Sequence, residues 1–282
     1  MDQKDYELIL SLNKTKNITK TAEQLFVSQP ALTKRIQNIE KELGTNILVR
    51  MPRGIYFTPM GEKVLDYVLQ IYSSIEEMHS YIHSNMGYIG GNLEIGVPVD
   101  YARYLLPQKL DFYIHNYPNV NIYIHTGYSS TLYRRLMNND FNCTVVRGEY
   151  NWDEEQLLIR TEPVCLACKD REARKNLSKL IYINRSTDTL LSNQIHKWLK
   201  ENNLHWQTKL NIDGTATCQQ LIRSGLWTIA PQLSLFGFEG YMEPLYLEDG
   251  TPLLRKTHVL CRSFYMNLPQ VRLFIDLLSQ QD

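Results

Sequence analysis

Nowhere in the 282 residues is there an uninterrupted apolar run of about eighteen, the length a helix needs to cross a bilayer, so no membrane partner is expected. The opening residues, MDQKDYELIL, carry acids and lack the basic-then-apolar order of a secretory leader, which makes a cytoplasmic protein the expectation. Cysteine is sparse. Its five occurrences, at 143, 165, 168, 218 and 261, are odd in number and scattered, as in a reduced protein without a disulfide framework. HExxH, GxSxG, a phosphate loop and a glycine-rich dinucleotide fingerprint are all missing, so no catalytic residue, cofactor or metal is expected. Cys165 and Cys168 have the spacing of a redox pair, but LLIRTEPVCLACK reads as a strand. Residues i and i+3 of a strand point to opposite faces, so these thiols cannot easily meet. His79 and His83 could share a helical face and have no evident partners.

A surplus of charge is missing too, with 30 basic and 30 acidic residues. The distribution is uneven, however. Residues 1–60 hold nine Lys/Arg against six Asp/Glu, and residues 61–90 hold one against four. A modest basic patch at one end of a neutral chain is compatible with a small nucleic-acid-binding head.

What is present begins with two short helical patterns broken by VSQP. Tyr6, Leu8, Ile9 and Leu12 form a first apolar face that ends near Asn13. Thr19 is the expected N-cap of a second helix with apolar positions Ala22, Leu25 and Phe26. Ser28 can cap a third, Pro30 suits its first turn, and Leu32, Ile36, Ile39 and Leu43 recur as one stripe. Gly44 then fits the left-handed position past the helix end. Away from the stripe lie Gln29, Thr33, Lys34, Gln37 and Lys41, donors and acceptors suited to a major groove. ILVRMPRGIYF reads as a hairpin whose tip carries Arg50 and Arg53, a wing able to lie on phosphates or in a minor groove. Thr58 and Pro59 restart a helix.

At this point the sequence resembles the LysR-type transcriptional regulators, through TKTAEQLFVSQPALTKRIQNIEKELGTNILVR and FTPMG. It departs slightly, with Thr33 where serine is usual and Ile47-Leu48 for Leu-Phe. The resemblance implies an α/β protein overall: a winged helix-turn-helix over 1–58, a linker helix and hinge over 59–90, and an effector-binding domain over 91–282. It also implies double-stranded DNA as partner, contacted through Ser28, Gln29, Pro30, Thr33, Lys34, Gln37, Arg50 and Arg53.

Residues 62–86 contain neither glycine nor proline, and Val64, Val68, Ile71, Ile75, Met78 and Ile82 repeat as a coiled-coil seam. Leu65, Tyr72 and His79 broaden that stripe, which leaves packing on its own domain open. The family analogy favours a homodimer here, matched to an operator with twofold-related halves, and commonly a homotetramer. RNA polymerase is a further partner if the protein activates transcription.

Beyond the hinge, strands and helices alternate, as in an α/β sheet with parallel crossovers. The resemblance implies two subdomains, as in periplasmic binding proteins: one of about 91–160 plus 267–282, the other about 161–266. A small-molecule effector would lie between them. Ligands in such folds sit where strand C-termini meet helix N-termini. Those points carry Asp100 and Tyr101; Tyr128, Ser129, Ser130 and Thr131; Arg147; Arg185, Ser186 and Thr187; and Thr215 and Thr217. The hydroxyls among them could equally cap their own helices. Where the family often has Ser or Thr, this chain has Pro98, Val99 and Asp100, so a carboxylate effector would be repelled there and an amine or hydroxyl welcome. Asp100 is expected at the cleft near Ser129 and Thr131, paired with the ligand or with Arg103 or Arg147. The rival reading is an α/β enzyme domain fused to a DNA-binding head, but no nucleophile, base or cofactor lysine stands in a recognisable setting.

Overall fold

The computed structural model describes residues 1–51, 54–84, 89–204 and 210–280, and within these the side chains of all but 76 and 79–84. Arg53, His79, Ile82 and His83 therefore lie outside the described side chains. The chain forms two compact units that part between Ile89 and Gly90.

In the first unit, α1 (Gln3–Thr15) opens with a capping box between Asp2 and Asp5. Helix α2 (Ile18–Gln24) is capped by Asn17, whose side chain accepts from Lys20 N at 3.1 Å. Thr19, the expected cap, is already inside the helix. Asn17 takes the role because its backbone is extended after left-handed Lys16. Helix α2 ends in a Schellman turn: Phe26 N donates to Glu23 O and Val27 N to Ala22 O, with Phe26 at φ 55°. That conformation turns the Phe26 ring outward, 96% exposed, so it is not the core position its periodicity implies.

Helix α3 (Gln29–Leu43) starts on Ser28, whose hydroxyl accepts from Ala31 N, and places Pro30 in its first turn. Leu32, Ile36 and Ile39 are buried, each contributing about 1.5–3 kcal/mol, while Leu43 emerges to the surface. Gly44 closes α3 by a second Schellman turn at φ 67°. The wing is β1 (Leu48–Met51) antiparallel to β2 (Gly54–Phe57). It is fastened to α3 by the Glu40 carboxylate, which accepts from Ile47 N at 2.9 Å and Leu48 N at 3.3 Å. Thr58 caps α4 (Pro59–Ser84) through Gly61 N. A Cβ on Gly61 would sit 2.0 Å from Ile47 O, so this helix turn can approach the wing only with glycine there.

The stripe on α4 is divided. Leu65, Val68 and Leu69 are buried, and burial near Glu7 of α1 pushes the Tyr72 phenol pKa up. Ile71, Ile75 and Met78 stay 37–51% exposed. Val68, counted on the seam from spacing, thus belongs to the core of the chain.

The second unit runs β3 (Gly90–Pro98), α5 (Val99–Tyr104), α6 (Leu106–Asn116), β4 (Asn119–Gly127), α7 (Ser129–Met137) and β5 (Cys143–Arg147). Residues 99–116 form two helices and not one, because Pro107 in the first turn of α6 has no N–H to continue α5. Then follow β6 (Glu155–Cys168), α8 (Arg171–Lys175), β7 (Tyr182–Arg185), α9 (Thr189–Glu201), β8 (Leu210–Ile212), α10 (Thr215–Arg223), β9 (Trp227–Pro231), β10 (Tyr241–Pro244), β11 (Leu254–Cys261) and α11 (Pro269–Ser279). Strand order is β4-β3-β5-β11-β6-β9-β7-β8, with β10 also on β6. The pairs β3–β4, β3–β5, β7–β8 and β7–β9 are parallel, as the crossovers require.

Strand β6 joins the halves. Its Glu155–Pro163 stretch pairs with β11, and Val164–Cys168 pairs with β9. Strand β11 also pairs with β5, so residues 254–261 lie in the first sheet, not in the second half that 161–266 assigned them to. The cause is a return antiparallel crossing, which chain order alone does not reveal. Cys165 packs with Ala167, Ile183 and Cys218, and Cys168 with Val164, Trp198 and Trp227, on the opposite face of the sheet. All five cysteines are free and buried.

Candidate nucleic-acid interface and effector cleft

The outward face of α3 presents Gln29, Pro30, Lys34, Gln37 and Lys41, all exposed, with Ser28 at the N-cap and Thr33 half-buried. Arg50 is exposed on β1. Arg35, also on α3, is committed elsewhere: its Nε donates to Asp5 and its Nη2 to Asp2, both at 2.6 Å, which ties α3 to α1. The exposed face is thus rich in free amides and amines, on a helix fixed from behind by ion pairs and apolar contacts.

The cleft residues divide into a converging set and a peripheral set. Asp100, in the first turn of α5 just past β3, is buried, and its Oδ1 accepts from Thr215 Oγ1 at 2.8 Å. Its Oδ2 accepts from Ser234 Oγ at 2.7 Å and faces Arg147 Nη1 at 3.5 Å. Arg147 Nη1 also donates to Ser234, and its Nη2 to Glu162. Arg185 Nη2 donates to Thr215 Oγ1 at 2.8 Å. Ser129 accepts from Arg147 N at 2.9 Å and hydrogen-bonds Tyr150. Of the alternatives left open for Asp100, the ligand, Arg103 or Arg147, the structure places Arg147 beside it. Ser129 and Thr131 are not its partners, and Arg103 lies over the Tyr104 ring instead.

Burial, with the Asp213 carboxylate nearby, pushes the Tyr128 phenol pKa up. Tyr101 is buried in the core. Ser130, Thr131, Ser186, Thr187 and Thr217 are exposed around the rim. Asp188, not Ser186 or Thr187, caps α9, accepting from Leu191 N at 3.1 Å.

Reading the sequence missed Glu162, Asp188, Asp213, Ser234 and Arg255. Asp188 pairs with Arg255, whose Nη2 donates to Arg147 O at 2.7 Å. Burial pushes the Arg255 pKa down, and Asp188 pulls it back up. A signal for one of them existed: Arg160 and Glu162 lie two apart, on one face of a strand that turns apolar from Pro163 on, where charge needs a partner. Ser234 and Asp213 carry no such signal. Among the described residues, hydrogen bonds therefore cross from the first half to the second from Asp100 to Thr215 and Ser234, from Arg147 to Ser234, and from Arg255 to Asp188. A cavity of about 150 Å³ remains beside the last of these, between Gly148, Leu191, Gln194 and Arg255. This is below the roughly 300–1,000 Å³ of ordinary ligand pockets.

A helix-turn-helix with a wing, followed by a two-part α/β domain around a polar cleft, defines a ligand-responsive DNA-binding protein. The family model described as "Bacterial regulatory helix-turn-helix protein, lysR family" matches residues 4–62, and "LysR substrate binding domain" matches residues 87–282. The chain belongs to the LysR family of transcriptional regulators, with a DNA-binding and an effector-binding domain. It is similar to the uncharacterized HTH-type transcriptional regulator YraN of Bacillus subtilis (strain 168), at 29% identity over 99% of this chain and 98% of the relative. Among solved structures, a full-length OxyR variant from Pseudomonas aeruginosa matches with TM-score 0.70 at 17% identity, over 99% of this chain and 94% of that one. CbnR in complex with its target DNA matches with TM-score 0.51 at 15% identity, over 99% and 98%. No helix among the described residues is long and apolar enough to cross a membrane.

Proposed function

We propose that the chain is a cytoplasmic homodimeric regulator that reads an operator with twofold-related halves through α3 and responds to a small molecule held between its α/β halves. The observation that carries the reading is the exposed face of α3, where Gln29, Lys34, Gln37 and Lys41 are free while Arg35 locks the helix to its support. Glutamine can read an adenine edge in the major groove, lysine can reach guanine or phosphate, and Arg50 and Arg53 of the wing add backbone contacts.

The polar groups meeting around Asp100, Arg147 and Thr215 support the cleft as the effector site. Exposed apolar side chains support dimer and tetramer assembly: Ile71, Ile75 and Met78 on α4, Phe112 and Ile114 on α6, and Tyr123 and Ile124 on edge strand β4. Contact with RNA polymerase follows only if the regulator activates. The relatives' names describe regulators, which supports a non-enzymatic role.

Retention of a duplex from the chain's own upstream region tests the reading. Binding should be saturable, should fall steeply with salt, and should exceed binding to random DNA by at least about 10³-fold. Equal retention of both duplexes would defeat it. A thermal-shift screen of metabolites made or used by neighbouring genes then tests the effector.

A further inference from the structure

Asp100 enters the cleft from the first half, and its side chain is only 9% exposed. Two hydroxyls of the second half, Thr215 and Ser234, converge on its oxygens at 2.8 and 2.7 Å, and the Arg147 guanidinium stands 3.5 Å away. Behind Thr215, Arg185 donates to the same hydroxyl, so the chain of donors runs from a cation to the carboxylate. Arg147 Nε and Arg185 Nε are buried without a partner, leaving donor capacity unused. Two hydroxyls with guanidinium groups at hydrogen-bonding range are the donor set that captures a small carboxylate from solution. Here the carboxylate they hold belongs to the chain.

We infer that Asp100 is the built-in occupant of a carboxylate site, and so the residue that sets the cleft's ligand class. The inference rests on the cleft being the effector site. While Asp100 is in place, a free carboxylate meets a like charge and finds the Thr215 and Ser234 hydroxyls taken. Nor do the described residues offer an open cation site there: the Asp100 carboxylate already accepts from two hydroxyls beside Arg147, and Glu162 accepts from Arg147, Arg160 and Leu233 N. The effector is therefore an uncharged polar molecule. Because Asp100 reaches Thr215 and Ser234 across the cleft, the same bonds also hold the halves together in its absence.

Removing the carboxylate should leave a vacancy that an external one refills. Melting of the full chain is followed in sodium acetate against sodium chloride of equal ionic strength. The parent should respond identically to both salts, and to benzoate. Asp100→Ala should melt lower in chloride and recover at least half of that loss in acetate, with saturation. In Asp100→Ala/Ser234→Ala the half-saturating acetate concentration should rise about tenfold, the loss of one hydrogen bond to a charged group. If Asp100→Ala does not fold, Asp100→Ser carries the same comparison. A folded variant indifferent to acetate, or a parent that binds acetate or benzoate saturably, overturns the inference. Retention of upstream DNA is measured on the same samples. A variant that binds DNA but ignores acetate counts against Asp100 alone, whereas a parent that fails to bind DNA counts against the regulator reading alone.

Discussion

Phe26 fills the place after α2 that glycine usually takes, and α3 ends in the same turn with Gly44. A left-handed conformation costs an L-residue roughly 1–2 kcal/mol, and the exposed ring returns nothing by burial. Phe26→Asn, which adopts that conformation more readily, should raise stability by about 0.5 kcal/mol in urea unfolding. A loss of roughly 3 kcal/mol or more would instead mean a packed ring. Gly61→Ala should act oppositely, costing about 1–3 kcal/mol, because its Cβ meets backbone rather than a movable side chain. On the reading face, Gln29→Ala should cost about 1–3 kcal/mol on the cognate site and little on random DNA. Lys34→Ala should weaken both and flatten the salt slope. Gel retention separates them, and unchanged binding by both folded variants would remove α3 from the groove. The amphipathic stripe of α3 was legible because burial at Leu32, Ile36 and Ile39 follows spacing. Phe26 was not, since periodicity cannot tell the last helical residue from the first one past it.

At the scale of elements, β6 does the most. Arg160 and Glu162 serve the cleft, and beyond them the strand turns apolar and alternates its thiols between two cores. Burial pushes the Cys165 and Cys168 pKa values up to about 11 and that of Cys143 to about 12, so little thiolate exists at neutral pH. A Cys165→Ser/Cys168→Ser variant should bind DNA and respond to effector like its parent, with or without peroxide. Oxidant-dependent binding in the parent that the variant lacks would refute this. On β11, burial lowers the His258 pKa below 6.5, with Lys256 adding to the effect and the Gly148 carbonyl opposing it. The unfolded chain then takes up this proton first as pH falls, so His258 contributes stability above about 6.5 that declines below it. In His258→Gln the fall in urea midpoint from about pH 7.5 to 5.5 should be smaller than in the parent. The alternation of strands and helices was legible in local patterns, because each crossover is a local event. The place of β11 was not: it pairs with β5 and with the start of β6 across about a hundred residues, and such pairing leaves no local signature.

For the whole molecule, the proposed dimer needs two heads at a fixed spacing, and α4 carries an exposed apolar surface for it. Its first turns spend Leu65, Val68 and Leu69 inside the chain, while Ile71, Ile75 and Met78 remain exposed one heptad on. Exposed isoleucines at 71 and 75 on one helical face bring no benefit to a monomer, and their 4-3 spacing with Met78 matches a two-helix seam. The regular repeat read from sequence overstated that seam at Val68, because spacing cannot distinguish a partner in the same chain from one in another. Glutamates at 71 and 75 would place four like charges in a dimer seam, whereas on a solvated face they would matter little. Ile71→Glu/Ile75→Glu should therefore leave the circular dichroism of the full chain unchanged while its sedimentation shifts toward smaller species. Retention of a two-half-site duplex should fall at least about tenfold more than that of a single half-site, because the second head then binds without the gain of tethering. An unchanged sedimentation profile would assign dimerisation to α6 and β4 instead, and Phe112→Glu/Tyr123→Glu would be the variant to dissociate it.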